Sequence, residues 1–136
     1  MAGENESAIA VFSRNPDYGA LTWQSVIGYG DEGVAGMLSP QALGLSADDQ
    51  YLYALGYGDH SVVVFARGSA ADTASNGDLT AVENIIDGYD GVSGLKGPTD
   101  IAIAGDDSNV YVTAFIDNSV AILKRLAEVI FSSSFE

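Results

Sequence analysis

Asp31, Glu32, Asp59, His60, Asp87, Asp90 and Asp117 are the residues of this chain best placed to do chemistry. Four of them lie in two acidic segments punctuated by glycine, Gly30-Asp31-Glu32-Gly33 and Asp87-Gly88-Tyr89-Asp90-Gly91. Hard cations such as Ca2+ take several oxygen ligands from a flexible backbone, and these segments supply that material, though without the ligand spacing of an EF-hand. No cofactor is expected, a divalent cation such as Ca2+ being the one these residues could accept. His60 is the only histidine, so a Ser-His-Asp arrangement would have to use it. The chain has no glycine-rich phosphate loop followed by lysine, no Cys/His ligand set and no nucleophile elbow. No catalytic residue can be assigned from these patterns.

Each candidate also has a plainer structural reading. Asp48-Asp49 and Asp106-Asp107 read as turn residues, because Asp at the start of a β-turn caps backbone N–H groups. Asp59 and Asp117 open short connections, where Asp tolerates left-handed φ. His60 shares its place with Asn118 and Ser7, which marks a polar turn position. Arg14, Arg67 and Arg125 end equivalent apolar runs, where a cation meets a carboxylate or a carbonyl. Trp23 and Tyr29 could stack a sugar, but a lone Trp on an outer strand usually packs.

Composition narrows the function classes. The chain has 136 residues, enough for one domain with a buried core, and 47% of them are hydrophobic. Net charge is −14 with five basic residues, a surface that repels phosphate backbones and anionic headgroups. Nucleic acid and membranes are therefore not expected partners. The absence of cysteine excludes disulfides and thiolate chemistry. No apolar run has membrane-spanning length, and residues 1–7 read as an acidic, disordered leader rather than a signal peptide.

The positions of the carboxylates follow from a repeat. Residues 33–67 lie over residues 91–125 without a gap, at an offset of 58. Pro40, Asp48, Asp49, Tyr53, Asp59, Ser61 and Arg67 recur as Pro98, Asp106, Asp107, Tyr111, Asp117, Ser119 and Arg125. The run 8–14 aligns with 61–67 at an offset of 53. Short apolar, β-branched runs predict ten strands, at 8–14, 20–27, 42–46, 51–56, 61–67, 79–86, 100–104, 110–115, 119–125 and 126–132. The run Ser61–Arg67 is apolar at consecutive positions and predicts a strand buried on both faces.

Each unit comprises four antiparallel strands, A to D. The chain begins with half a unit (8–32, strands C and D), followed by complete units at 33–90 and 91–136. Strand parity places the D-to-A and B-to-C connections on one rim, with all seven candidates. Asp48, Asp49, Asp106, Asp107, Asp17, Asp72 and Asp78 fall on the other.

Repeated four-stranded units of this length predict an all-β fold of β-propeller blades, rather than a Greek-key sandwich or a solenoid. The series of glycine-rich loop, Leu-x-x-Pro, Ser-x-Asp-Asp, Leu-Tyr, Asp-x-Ser-Val-x-Val-Phe-x-Arg and Leu-Thr resembles the YVTN-type repeat of the β-propeller lactonase family. Tyr111-Val112-Thr113 keeps the first three letters, with Ala114 in place of asparagine, and Tyr53 is all that remains in the other copy. The resemblance implies rings of seven blades in bacterial proteins of the cytoplasm, periplasm or exterior. It also implies, for part of the family, opening of small sugar lactones in a carboxylate-rich funnel. Two and a half blades cannot close such a ring. The expected partners are thus further blades or copies of this chain, as a homo-oligomer, and the exposed blade faces are expected to be apolar.

Overall fold

In the computed structural model, which describes residues 2–3, 6–68, 78–125 and 131–134, the chain forms eleven β-strands in three antiparallel sheets. The first sheet holds β1 (Ala2–Gly3), β2 (Ala8–Arg14) and β3 (Leu21–Gly28), in that order. The central sheet holds β4 (Pro40–Leu45), β5 (Tyr51–Gly56), β6 (Ser61–Arg67) and β7 (Leu79–Ile86). The third holds β8 (Pro98–Ile103), β9 (Asn109–Ala114), β10 (Ser119–Arg125) and β11 (Phe131–Ser134). No helix occurs among the described residues, and none is long and apolar enough to cross a membrane.

Corresponding ladders share their irregularities. β4 pairs Pro40 with Gly56 and then Ala42 with Leu55; β8 pairs Pro98 with Ala114 and then Asp100 with Thr113. The prolines stand first in their strands, where a missing N–H costs no ladder bond. A second register shift falls between Val64 and Phe65 in the central sheet and between Val11 and Phe12 in the first. These are equivalent positions.

The core lies between the sheets, because side chains alternate across each strand. Val62, Val64, Tyr51, Tyr53 and Leu55 face the third sheet and pack with Val110, Val112, Ala121 and Leu123. Val63, Phe65 and Ala54 face the other way and pack with Ile9, Val34 and Met37. Burying each such large side chain contributes roughly 1.5–3 kcal/mol, so stacking of sheets, not any one sheet, holds the fold. That is the arrangement of stacked blades, and the molecule is an incomplete β-propeller.

Three features depart from expectation. The leader is not wholly without structure: Ala2 and Gly3 pair with Ile9 and Ala8, which adds β1 to the ten expected strands. Several ends shift by one or two residues, and residues 126–130 at the start of the last expected strand lie outside the described residues. The outer face of the third sheet is only half apolar. Asp100, Thr113 and Lys124 stand exposed there, where the central sheet has Ala42, Leu55 and Ala66.

Candidate functional site

The loops after β3 and β7 and the turns before β2, β6 and β10 gather at one end. Their backbones are bonded together: Tyr57 N–H donates to Ser39 O (3.2 Å), Phe115 N–H to Gly97 O (2.8 Å) and Tyr29 N–H to Ser7 O (2.9 Å). The expected rim is therefore formed, and all seven candidates lie on it.

Five of the seven, Asp31, Asp59, His60, Asp87 and Asp117, accept a backbone amide through one side-chain atom. Asp31 Oδ2 accepts the N–H of Gly28 at 2.7 Å. Asp87 Oδ1 accepts Leu95 N–H at 3.1 Å, and Asp117 Oδ2 accepts Lys96 N–H at 3.0 Å. Asp90 is exposed at φ 51° on its turn. Asp31 and Glu32, with Asp78, border a groove of about 730 Å3 between β3 and β7 that none of the other candidates reaches. Among the described residues, no three acidic or histidine side chains gather to hold a metal ion.

Asp59 sits deepest. Its Oδ1 accepts the Ser61 hydroxyl (2.7 Å) and Leu38 N–H (3.3 Å), while its Oδ2 is buried with no hydrogen-bond partner. Ser61 Oγ in turn accepts Met37 N–H at 2.9 Å. In the third sheet the equivalent Ser119 instead donates to Gly94 O at 2.7 Å. The loop differs to match: positive φ falls at Met37 (82°) in one copy and at Gly94 (77°) in the other. A single serine thus serves two backbone orientations, because a hydroxyl can either donate or accept.

His60 and Ser7 do the same work across sheets. Ser7 Oγ accepts Ser39 N–H and His60 Nδ1 accepts Gly97 N–H, each at 3.1 Å. An accepting Nδ1 places the imidazole N–H on Nε2. Both residues have positive φ (52° and 57°), as does Asn118 (51°) at the third equivalent position. This corrects one expectation: the left-handed residue of each connection is not Asp59 or Asp117 but the residue after it. Those aspartates hold loop amides and, at Asp59, a hydroxyl instead.

On the opposite rim the turn reading of the paired aspartates holds, with an addition. Asp48 Oδ1 accepts Gln50 N–H (3.1 Å) and the Ser46 hydroxyl (2.6 Å). Asp106 Oδ1 likewise accepts Ser108 N–H (3.0 Å) and the Ser108 hydroxyl (2.6 Å). Asp107, however, reaches into the neighbouring sheet, where Oδ1 accepts Ala47 N–H at 2.7 Å and Oδ2 accepts Asp48 N–H at 3.2 Å. Arg67 donates to Asp49 O at 2.7 Å, the carbonyl partner expected of a strand-end cation. Asp72 lies outside the described residues.

The Ser108 hydroxyl, followed by the Ser108 amide, holds the Asp106 carboxyl below its ordinary value of 3.8. The folded state therefore binds this proton less well than the unfolded chain. The stability so gained is present above the ordinary pKa and is lost as pH falls through the folded one. Ser108→Ala is expected to raise the Asp106 midpoint toward 3.8 in an NMR titration. An unmoved midpoint would refute the assignment to Ser108.

Sequence reasoning missed Asn84. Its Oδ1 accepts Ala35 N–H (3.0 Å) and Gly36 N–H (3.2 Å), and its Nδ2 donates to Gly33 O (2.8 Å). It thereby anchors the loop before β4. No periodicity could reveal it, since Val26 occupies the equivalent place in the first unit. Trp23 and Tyr29 are not packed: they are 61% and 50% exposed.

Fold and rim together define an incomplete propeller with acidic loops, and the chain superposes on part of several solved structures. The periplasmic gluconolactonase of Pseudomonas aeruginosa superposes with a TM-score of 0.74 at 22% identity, over 97% of this chain and 34% of that one. A Bacteroides fragilis protein with a provisional 6-phosphogluconolactonase name gives 0.73 at 20% identity, over 96% and 32%. A Lactobacillus plantarum protein gives 0.70 at 20% identity, over 95% and 35%. The chain spans about a third of the length of each of these proteins, and the likeness is one of fold. No family model matches the sequence, and no curated protein does.

Proposed function

We propose that this chain is a non-catalytic β-propeller segment, a binding and scaffold module that stacks with further blades in the same chain or in copies of itself. The supporting observation is the direction of its polar contacts. Ser7, His60 and Asp107 each hold backbone amides of the adjoining sheet. Their equivalents Asn118 and Asp49 are exposed, and no hydrogen bond joins their side chains to a described residue. Connectors of one type are thus engaged inside the molecule and unengaged at its two ends. Light scattering with mass determination is expected to show assemblies of two or more chains. A single-chain mass at every concentration would eliminate self-assembly.

The gluconolactonases among the similar structures support a second reading. Here the chain is part of a lactonase-like hydrolase: Asp31 and Glu32, or Asp87 and Asp90, would contribute ligands to a divalent cation whose Lewis acidity would serve a lactone carbonyl and a water, although no three such side chains gather among the described residues. The first reading expects no hydrolysis of gluconolactone above the spontaneous rate. Turnover that disappears on chelation and in Asp90→Asn would establish the second.

A further inference from the structure

The contact between the central and third sheets is a filled version of a place left open on the other side of the central sheet. Hairpin β4–β5 lies over β8–β9, with Tyr51, Tyr53 and Leu55 packed in one cluster with Val110, Val112, Ile101 and Ile103. Gly44 permits the approach, since a Cβ there would lie 3.0 Å from Ile101 Cγ2 and 3.1 Å from Ile103 Cδ1. At the tip of the hairpin, the Ala47 and Asp48 amides donate to Asp107.

The offset of 58 carries Ile101, Ile103, Val110 and Asp107 onto Leu43, Leu45, Leu52 and Asp49. Over these residues no described hairpin lies. A groove of about 520 Å3 opens there instead, between β2 and the face of β4–β5, with Val11, Leu43, Leu45 and Leu52 in its wall. Leu45 is 44% exposed at its edge. Asp49 has φ 61°, close to the 59° of Asp107, and stands exposed.

The backbone shows the same omission. β1 pairs Ala2 with Ile9 and Gly3 with Ala8, the register in which Leu55 and Gly56 pair with Val62 and Ser61. β5 then continues beside β6 as far as Tyr51 against Ala66. Along β2 from Val11 to Arg14, no described strand pairs on that side. The occupant must continue a ladder that has already begun.

We propose that this groove receives a β-hairpin of the chain's own repeat chemistry. One strand of it extends the β1 ladder along Val11–Arg14. Its apolar side chains cover Leu43, Leu45 and Leu52, with a small residue opposite the leucines as Gly44 is opposite Ile101 and Ile103. The amides of its turn donate to Asp49. The outer face of the third sheet is a poorer receptor, because Asp100, Thr113 and Lys124 interrupt it. The inference rests on the scaffold reading and supplies the partner that reading lacks.

The test uses a fluorescent peptide with the sequence of residues 41–53, the part of the chain's own hairpin whose second strand ends at Tyr53, which pairs with Val64 as the occupant would with Val11. It is titrated with the protein, and anisotropy is read, at a concentration where light scattering gives a single chain. Saturable binding is expected, weakened about tenfold by Asp49→Asn, which removes one acceptor oxygen and the charge but keeps the left-handed turn. Leu45→Glu is expected to abolish it. No saturable binding overturns the proposal, as does equal binding by Leu45→Glu or by a peptide N-methylated at alternate residues of its second strand. A chain that assembles at higher concentration yet ignores the peptide keeps the stacking reading and loses the hairpin site. A chain that stays single and ignores the peptide loses both.

Discussion

Asp107→Asn is expected to lower the unfolding free energy by about 2 kcal/mol, whereas Asp49→Asn, at the same turn position one unit earlier, should change it by less than about 0.5 kcal/mol. Asp107 is 9% exposed, and its two oxygens take the Ala47 and Asp48 amides of the adjoining sheet at 2.7 and 3.2 Å. Hydrogen bonds to an ionised acceptor contribute more than neutral ones, and the amide of asparagine has a single acceptor oxygen and no charge. Asparagine tolerates the left-handed φ of 59°, so backbone strain does not confound the result. Asp49 is exposed and makes no comparable contact. Urea unfolding of both variants checks the contrast. Equal losses would show that the turn itself, not the contact between sheets, sets the value of this position.

Gly56→Ala is expected to cost about 3 kcal/mol, at the upper end of overpacking effects. An added Cβ would press on Ser61 Oγ and lie 2.5 Å from Asp59 Oδ1 and 2.8 Å from Met37 Cα. The side chains could shift only by breaking the Asp59–Ser61 bond, and Met37 Cα is backbone beside a fully buried side chain. The third sheet carries that same methyl group as Ala114. It is accommodated there with the Ser119 hydroxyl turned to Gly94 O, whereas Ser61 donates to its aspartate. Ala114→Gly should cost less, roughly 1 kcal/mol of added backbone freedom and about 1 kcal/mol for the buried methyl it deletes. The midpoints of denaturant unfolding separate the two cases. A loss below about 1 kcal/mol for Gly56→Ala would mean that the loop at Met37 yields easily.

Much of the fold was legible because it depends on short-range patterns. Ala8–Arg14, Tyr51–Gly56, Ser61–Arg67, Leu79–Ile86 and Ser119–Arg125 form strands with the expected bounds, since apolar runs closed by turn residues leave little choice of register. The offset of 58 foretold that both four-stranded sheets would share one pairing scheme, and they share even the bulge after Pro40 and Pro98. β4 and β8 start earlier than expected because a proline can begin a strand without donating to it. β1 leaves no signal in the sequence because two residues carry no periodicity.

The candidate site was legible as a location but not as a set of contacts. Sequence placed Asp59, His60 and Asp117 on one rim and identified the paired aspartates of the other as turn residues. It could not show that His60 holds Gly97 or that Asp107 holds Ala47, because each partner is an amide 37 or 60 residues away. Those partners come within reach only when one sheet stacks on the next. Every backbone amide looks alike in a sequence, and nothing marks which will be left unpaired at a loop. What sequence alone determined was therefore the repeat, the strands and the polar character of each turn. Tertiary structure decided that Asp31, Asp59, His60, Asp87, Asp107 and Asp117 each hold a backbone amide of a turn, loop or neighbouring sheet, and that no three acidic or histidine side chains gather among the described residues. It also leaves the Asp49 side chain exposed, and opens a groove walled by Val11, Leu43, Leu45 and Leu52 between β2 and β4–β5. The reason is physical: hydrophobic periodicity is local, whereas satisfaction of a buried polar group depends on whatever packing brings against it.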